Sequence, residues 1–473
     1  MARNCPQGTI GTWPDCRTPA KPKCPQGTSG KWPNCVETVK PADQACAEGQ
    51  VRKGKRCVAV TQGGDSGAAK PPSTQKTKSK ETIPPEIAAL IAGRPHRPRE
   101  VLVLLDATRA SEIATRLERQ YNVDADPRAI LPLLDGAAAR LKLKDNRSLE
   151  SLLAALSSDP DVKLSQPNYD YGVSKDSALP KSVPQYAGEK IGLEEAHRLA
   201  RGKGVMVAVV DTAIEASHPE LAGAIAGVFD ALDGGPSQAE KHGTEIAGIL
   251  AARAKLTGVA PEAALLSVRA FRGAGGKPAQ STTLQLLKGI DWAYEAGAKV
   301  VNMSFAGPKD PLLERIIKAA ADKGVIFVAA AGNNGPKAPP VYPAAYPDVI
   351  AVTATDDEDK LYSKANRGNY IAIAAPGVDI LAPAPKGRYE ISSGTSMAAA
   401  HVSGAVALLL ERDAKLNAAQ VRDILAATAR KPDTAEQNGF GAGIIDAAKA
   451  LGEDSKGEAS AAPILEPAGA QGR

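Results

Sequence analysis

The chain has little that would tie it to a membrane or to nucleic acid. Its longest near-apolar stretch, Met397 to Leu410, is 14 residues and contains His401. A helix that crosses a bilayer needs about 20 apolar residues, so this stretch reads as a buried helix and no membrane span is expected. Charge of one sign is not in excess either: 58 Lys and Arg against 53 Asp and Glu leave +5 over 473 residues. No basic block is interleaved with aromatic residues as a nucleotide-stacking surface would be, so no nucleic-acid partner is expected. An apolar leader is missing after Met1-Ala-Arg-Asn-Cys-Pro, and no signal peptide is read there. Beyond residue 57 there is no cysteine at all.

The six cysteines that are present fall as Cys5/Cys16, Cys24/Cys35 and Cys46/Cys57, each pair 11 apart. The first two pairs close near-copies, CPQGTIGTWPDC and CPQGTSGKWPNC; the third unit, CAEGQVRKGKRC, keeps the spacing without the aromatic. Segments this small and rich in Gly and Pro bury little, and paired cysteines would staple them. With no neighbouring histidine and no CxxC spacing, zinc is the weaker reading. Pairing within each repeat is therefore expected, with unpaired thiols as the alternative, and with it a secreted or periplasmic location. Trp13 and Trp32 read as small apolar anchors of the repeats, or as ligand or cell-wall contacts. Residues 58–95, polar and rich in Pro and Lys, read as a disordered linker after the repeat region 1–57.

Regular patterning resumes in a segment of strands and helices, residues 97–175. EVLVLLD reads as a strand, Ile113, Leu117 and Tyr121 share a helix face, and ARLKLKD alternates as a strand. Ser148 stands where an N-cap belongs, and VKLSQPNYDYGV closes the segment as a strand. A small α+β domain is expected. From Gly202 the units lengthen: GVMVAVV, AALLSVR, AKVVNMS, GVIFVAAA and VIAVTA are β-branched apolar runs, as in strands buried on both faces. Ser281 to Ala296 and Pro311 to Lys323 read as helices stopped by Gly297 and Gly324. The fold class expected over 185–451 is therefore a doubly wound, mostly parallel α/β sheet, with a disordered tail over 452–473.

Ligands of such sheets sit beyond the carboxyl ends of the strands. Asp211 ends one strand, Ser304 follows another, and Gly332-Asn333 follows a third. His242-Gly243-Thr244 opens a helical run, and Ser396 heads the apolar helix within SSGTSMAAAHVSGAVALLL. A serine at a helix N-terminus has unpaired backbone N–H groups and the positive dipole end beside it, suited to a developing oxyanion. Its hydroxyl needs a base, which histidine supplies near neutral pH when a carboxylate fixes its tautomer. Taken singly, these residues could be caps, turns or core polar groups; their convergence points to catalysis. His401 and His218 read as packed and loop residues.

The runs around Asp211, His242, Asn333 and Ser396 resemble those of the subtilisin family of serine proteases, over about residues 185 to 451. The resemblance implies a serine endopeptidase acting on polypeptides, in which Asp211 orients His242, His242 is base and then acid, and Ser396 attacks the scissile carbonyl. It implies an oxyanion role for Asn333. It also implies that Ser304, Phe305, Ala306 and Gly307, with Ala330, Ala331 and Gly332, line the S1 pocket and pair with an extended substrate. Residues 97–175 resemble the family's inhibitor-like propeptide, so the chain would be a zymogen whose own domain inhibits it, cut somewhere between about Tyr171 and Ser182. Several positions depart from the pattern. Ala213 and Ala306 stand where glycine is usual, and the Ala306 methyl would narrow backbone approach. Glu245 replaces a frequent second histidine. Only Arg253 to Thr257 separate Ala252 from Gly258, too few for the family's tight calcium loop, so neither metal nor cofactor is expected. Val341 would fill the base of S1 and favour small residues there. A non-enzymatic binding protein is the rival class. An esterase of the α/β-hydrolase fold would need GxSxG and the order Ser, Asp, His, and acid Ser-Glu-Asp peptidases lack the histidine base.

Overall fold

The computed structural model describes residues 28–31, 34–37, 50–53, 56–59, 84–172, 185–232, 234, 239–273, 278–433 and 439–452. The chain divides into two units, Met1–Ser79 and Lys80–Arg473. In the first, β1 (Thr28–Lys31) pairs with β2 (Asn34–Glu37) and β3 (Gln50–Lys53) with β4 (Arg56–Ala59), both antiparallel. The rest of the cysteine repeats with both tryptophans, the linker to residue 83, the segment 173–184 and the tail from 453 lie outside the described residues.

The second unit opens with α1 (Pro85–Ile91), β5 (His96–Leu105), α2 (Ala110–Tyr121), β6 (Val123–Leu131), β7 (Gly136–Leu143), α3 (Leu149–Ser157) and β8 (Leu164–Gly172). Val101, Val103 and Leu105 of β5 pack against Ile113 and Leu117 of α2 and Leu152, Leu153 and Leu156 of α3. Ser148 caps α3, its side chain accepting from the Ser151 N–H. One expectation changes here. The linker read to residue 95 gives way to α1, where Pro85 presets the first turn and Ile87 buries itself in the same core. Strand β6 has no apolar alternation; it exists by pairing with β7, and its Pro127 is tolerated at a sheet edge beside a register shift.

The rest comprises α4 (Tyr186–Lys190), α5 (Leu193–Leu199), β9 (Met206–Asp211), β10 (Ile225–Asp230), α6 (Lys241–Ala251), β11 (Ala264–Arg269), β12 (Gln280–Thr282) and α7 (Thr283–Glu295). It continues with β13 (Val300–Met303), α8 (Pro311–Ala321), β14 (Ile326–Ala330), β15 (Val349–Thr355), β16 (Ile373–Pro376), β17 (Ile380–Ala384) and β18 (Arg388–Ser392). Three helices close it: α9 (Thr395–Arg412), α10 (Ala418–Thr428) and α11 (Ala447–Ala450). Seven strands form one sheet in the order β10-β11-β9-β13-β14-β15-β16, with every pairing parallel. The apolar runs are buried on both faces, as parallel strands require. Helix α7 begins at Thr283, two residues later than its periodicity suggests, because Thr282 and Gln285 form a capping box and Ser281 and Thr282 belong to β12.

That short strand joins the two layers. β12 is the edge of a five-stranded sheet, β12-β8-β5-β7-β6, so the α+β segment and the α/β segment share one hydrogen-bonded sheet. Behind it, Leu102, Leu104, Leu131 and Leu133 pack with Leu287 of α7 and Leu312 and Ile316 of α8.

The shortened loop Arg253–Thr257 is held by a carboxylate. Glu220, fully buried, accepts from the N–H groups of Ala254 (2.9 Å), Lys255 (2.8 Å) and Leu256 (3.2 Å) and from the Tyr389 hydroxyl (2.7 Å). Burial pushes this carboxyl up, but the Tyr389 hydroxyl and the three N–H groups prevail and hold it below its ordinary value. Gln185 ties the far end of the loop, its Oε1 accepting from Thr257 N at 2.9 Å. Replacing Glu220 with alanine removes one acceptor from four donors, a loss of about 2–4 kcal/mol. Thermal melting in a Ser396→Ala background is expected to show Tm lowered by about 3–7 °C.

Candidate active site

Three neighbouring strands bring their carboxyl ends to one edge: β9 with Asp211, β13 followed by Ser304, and β14 followed by Asn333. Asp211 is wholly buried, and both its oxygens face His242 Nδ1, at 2.8 and 2.9 Å. Thr212 N also donates to Asp211 Oδ1, at 2.6 Å. His242 is the second residue of α6 and only 12% exposed. The next position must be glycine: a Cβ on Gly243 would lie 2.4 Å from the Thr212 carbonyl oxygen, and the Gly243 N–H donates to Thr212 Oγ1 at 2.9 Å. The His-Gly pair thus locks the helix carrying the imidazole onto the turn that follows the aspartate.

Ser396 is the second residue of α9, where a backbone N–H has no carbonyl within the helix to bond. It is 3% exposed, and its Oγ donates to the Ser304 carbonyl oxygen at 3.2 Å. Ser304 Oγ in turn donates to the Ser396 carbonyl oxygen at 3.1 Å and accepts from Asn302 Nδ2 at 2.9 Å. Asn302 Oδ1 accepts from Ser403 Oγ at 2.9 Å, two turns further along α9. This polar ladder pins α9 to β13 inside an otherwise apolar core.

Asn333 is held by Thr395, whose N–H and Oγ donate to Asn333 Oδ1 at 3.1 and 3.0 Å. A backbone N–H can only donate, so the atom facing it is the amide oxygen and Nδ2 points to the other side. Gly332 N donates to Thr395 Oγ1 at 3.1 Å, completing the link from β14 to the head of α9.

Of the residues expected to touch substrate, Phe305, Ala330, Ala331 and Gly332 are buried. Gly307 exchanges backbone hydrogen bonds with Tyr342, and Val341 stands so close to Gly332 that a Cβ there would approach its Cγ2 to 2.9 Å. Ala306 does not obstruct backbone approach: it exchanges two hydrogen bonds of 3.1 Å with Gly172. Gly172 ends β8, whose preceding residues Tyr171 and Asp170 pair with Ser281 and Thr282 of β12. An extended segment of the chain therefore lies antiparallel between β12 and Ala306.

Sequence reasoning missed Thr395, Asn302 and the short strand β12. Thr395 precedes Ser396 in a run of small residues, but three-residue β12 left no pattern to read. His401, buried with Nδ1 against the Met397 carbonyl at 2.9 Å, is pulled down to about 4 by burial and stays neutral. His218 accepts from Glu220 N at 3.1 Å and caps a short turn. Both sit in structural roles.

The sequence model of the Subtilase family matches residues 202–443 of this chain. The chain belongs to the subtilase family. The thermophilic serine proteinase of Bacillus sp. (strain AK1) is 33% identical to this subtilase over 342 residues, 68% of this chain and 82% of the relative. Thermitase of Thermoactinomyces vulgaris is 37% identical over 257 residues, 53% and 90% of the two. Among solved structures, fervidolysin from Fervidobacterium pennivorans, a keratinolytic enzyme related to subtilisin, shares the fold with a TM-score of 0.64 at 24% identity. That likeness covers 78% of this chain and 62% of fervidolysin. The subtilase is a serine protease of subtilisin-like α/β fold. Among its described residues no cluster of His, Cys, Asp and Glu could hold a metal ion, and no helix is long and apolar enough to cross a membrane.

Beside His242, Glu245 is 2% exposed, accepts from Ser392 Oγ at 2.6 Å and lies 3.4 Å from Lys241 Nζ. Burial pushes its carboxyl up to about 7, against the opposing pull of Lys241 and Ser392. The fold thus prefers neutral Glu245: the stability this gives is complete below the ordinary value of 4.5 and is lost as pH rises through 7. Glu245→Gln, uncharged at every pH, is expected to raise Tm at pH 8 and to leave it unchanged at pH 4 in scans on a Ser396→Ala background.

Proposed function

We propose that Asp211, His242 and Ser396 act as one catalytic unit that cleaves peptide bonds through an acyl-enzyme, and that the chain is a precursor that processes itself. The observation that carries the reading is the grip of a fully buried carboxylate on His242 Nδ1 through both oxygens. It keeps the proton on Nδ1 and leaves Nε2 as the basic nitrogen. The Ser396 hydroxyl turns from the Ser304 carbonyl toward the imidazole, gives up its proton and attacks the scissile carbonyl carbon. The oxyanion is stabilised by the Ser396 N–H at the head of α9 and by Asn333 Nδ2. His242 then protonates the leaving amine, and a water activated by the same imidazole hydrolyses the ester. Polypeptide substrate lies as an added strand between β12 and Ala306.

The α+β segment, residues 97–175, serves in this reading as the chain's own inhibitor. Supporting it, β8 already lies where that substrate strand would, with Gly172 paired to Ala306. In a substrate strand paired antiparallel to Ala306 as Gly172 is, the residue two positions further on would meet Ser304, whose carbonyl receives Ser396 Oγ. The bond between Ser174 and Lys175 is the one we assign to self-cleavage. A small serine there suits an S1 pocket whose base is narrowed by Val341. The paired cysteines near the N-terminus support action outside the cytoplasm, with disulfides in the repeats. The loop Arg253–Thr257 needs no tight calcium ion, because N–H donors and the Tyr389 hydroxyl already take up both Glu220 oxygens.

N-terminal sequencing of the mature wild-type enzyme is expected to read from Lys175, while Ser396→Ala remains uncut; equal processing of the two would refute self-cleavage. Asn333→Ala is expected to process slowly, with kcat on peptides lowered by the factor of about 10²–10³ found for the oxyanion asparagine of subtilisin itself.

A further inference from the structure

We infer that Asp310 is a specificity-determining residue of the cleft, selecting polypeptides with tyrosine at the fourth position before the scissile bond. The inference rests on the reading of β8 as a substrate-like strand, in which Tyr171 holds that position.

Tyr171 is 2% exposed. Its ring lies directly on the Gly307 backbone, where a Cβ would come within 2.2 Å of Cδ1. It meets Phe305 edge to face, with centroids 5.9 Å apart at 87°, and Phe305 leans on Phe271 at 5.0 Å. These walls are apolar and would take any aromatic ring. The floor discriminates. Asp310 is wholly buried, and its Oδ2 accepts from the Tyr171 hydroxyl at 2.9 Å and from Thr283 Oγ1 at 2.6 Å.

The other oxygen has a separate task. Asp310 Oδ1 caps α8 by accepting from the N–H groups of Leu312 and Leu313, both at 3.0 Å, and also from Gln166 Nε2 at 2.8 Å. Capping therefore does not need Oδ2. When the α+β segment leaves, Tyr171 and Gln166 leave with it, and Oδ2 keeps Thr283 as its donor. A carboxylate oxygen at the floor of an apolar pocket that has lost a donor favours the ligand that covers it again and restores one. Tyrosine restores it; phenylalanine fills the same walls and does not. A site built to bond a hydroxyl discriminates against the analogue that lacks it more strongly than it senses one methylene.

The test uses mature enzyme from the full chain and two quenched-fluorescence peptides, identical except for Tyr or Phe four residues before the cut and both ending that stretch in Gly-Val-Ser. Wild type is expected to favour the Tyr peptide by about 10- to 100-fold in kcat/KM, the range of a hydrogen bond to a charged group. In Asp310→Ser, whose hydroxyl can still cap α8 but is too short to reach the phenol, the ratio should fall toward one. If that variant does not fold, the wild-type ratio alone decides. Both peptides cut with a wild-type ratio near one would overturn the role of Asp310 and leave the protease reading standing. No hydrolysis of either peptide by folded, processed enzyme would overturn both. A Tyr preference that survives unchanged in Asp310→Ser would also overturn the assignment.

Discussion

The site depends above all on the burial of α9. From Thr395 to Leu410 every residue of this helix is shielded from water, so its position under the sheet is fixed by packing along its length. Interiors packed to crystal density do not let such a rod slide. Its N-terminus, the one place where a helix has N–H groups to spare, is thereby fixed against the ends of β13 and β14. The ladder from Ser403 through Asn302 and Ser304 to Ser396 adds register to that position. A helix with apolar contacts alone could settle a fraction of a turn away; these polar pairs make such a shift costly, because each would leave a buried group unsatisfied.

Around this frame, four of the buried carboxylates are each treated differently. Asp211 is met by an imidazole and a backbone N–H. Glu220 is saturated by N–H groups and a phenol and therefore stays ionised easily. Glu245 has a hydroxyl and a more distant lysine, too little to offset its burial. Asp310 divides its two oxygens between capping a helix and meeting side chains from the α+β segment. The same functional group thus grips an imidazole, clamps a loop, carries a pH-sensitive penalty, or bridges a helix cap and a phenol. The donors supplied decide which.

Much of this was legible in the letters. Parallel strands buried on both faces give unbroken β-branched runs, so β9, β11, β13, β14 and β15 stood out, and with them the strand ends that carry Asp211, Ser304 and Asn333. Helix α8 announced itself by Pro311 inside its start and Gly324 after its end. What failed to show was structure made by partners rather than by local pattern. β6 reads VDADPRAIL and is a strand only because β7 lies beside it. β12 is three residues long. α1 was hidden in polar, Pro-rich surroundings, although Ile87 and its neighbours carry an apolar face. Asp310 could be foreseen as a cap before Pro311, but its second oxygen points at residues 139 and 144 positions away in sequence, and no local spacing encodes that.

If the α+β segment inhibits as proposed, the seating of β8 between β12 and Ala306 makes that restraint depend on whether the chain is continuous. While the backbone is continuous, that strand is supplied to the cleft at an effective concentration set by its tether, independent of how much protein is present. Were the connection between Gly172 and Gln185 severed by the proposed processing, the same contacts would become an encounter between two molecules, and dilution alone would begin to loosen them. Restraint would then be firm in a crowded compartment and weak after dispersal into a large volume, with no change in any bond at the cleft.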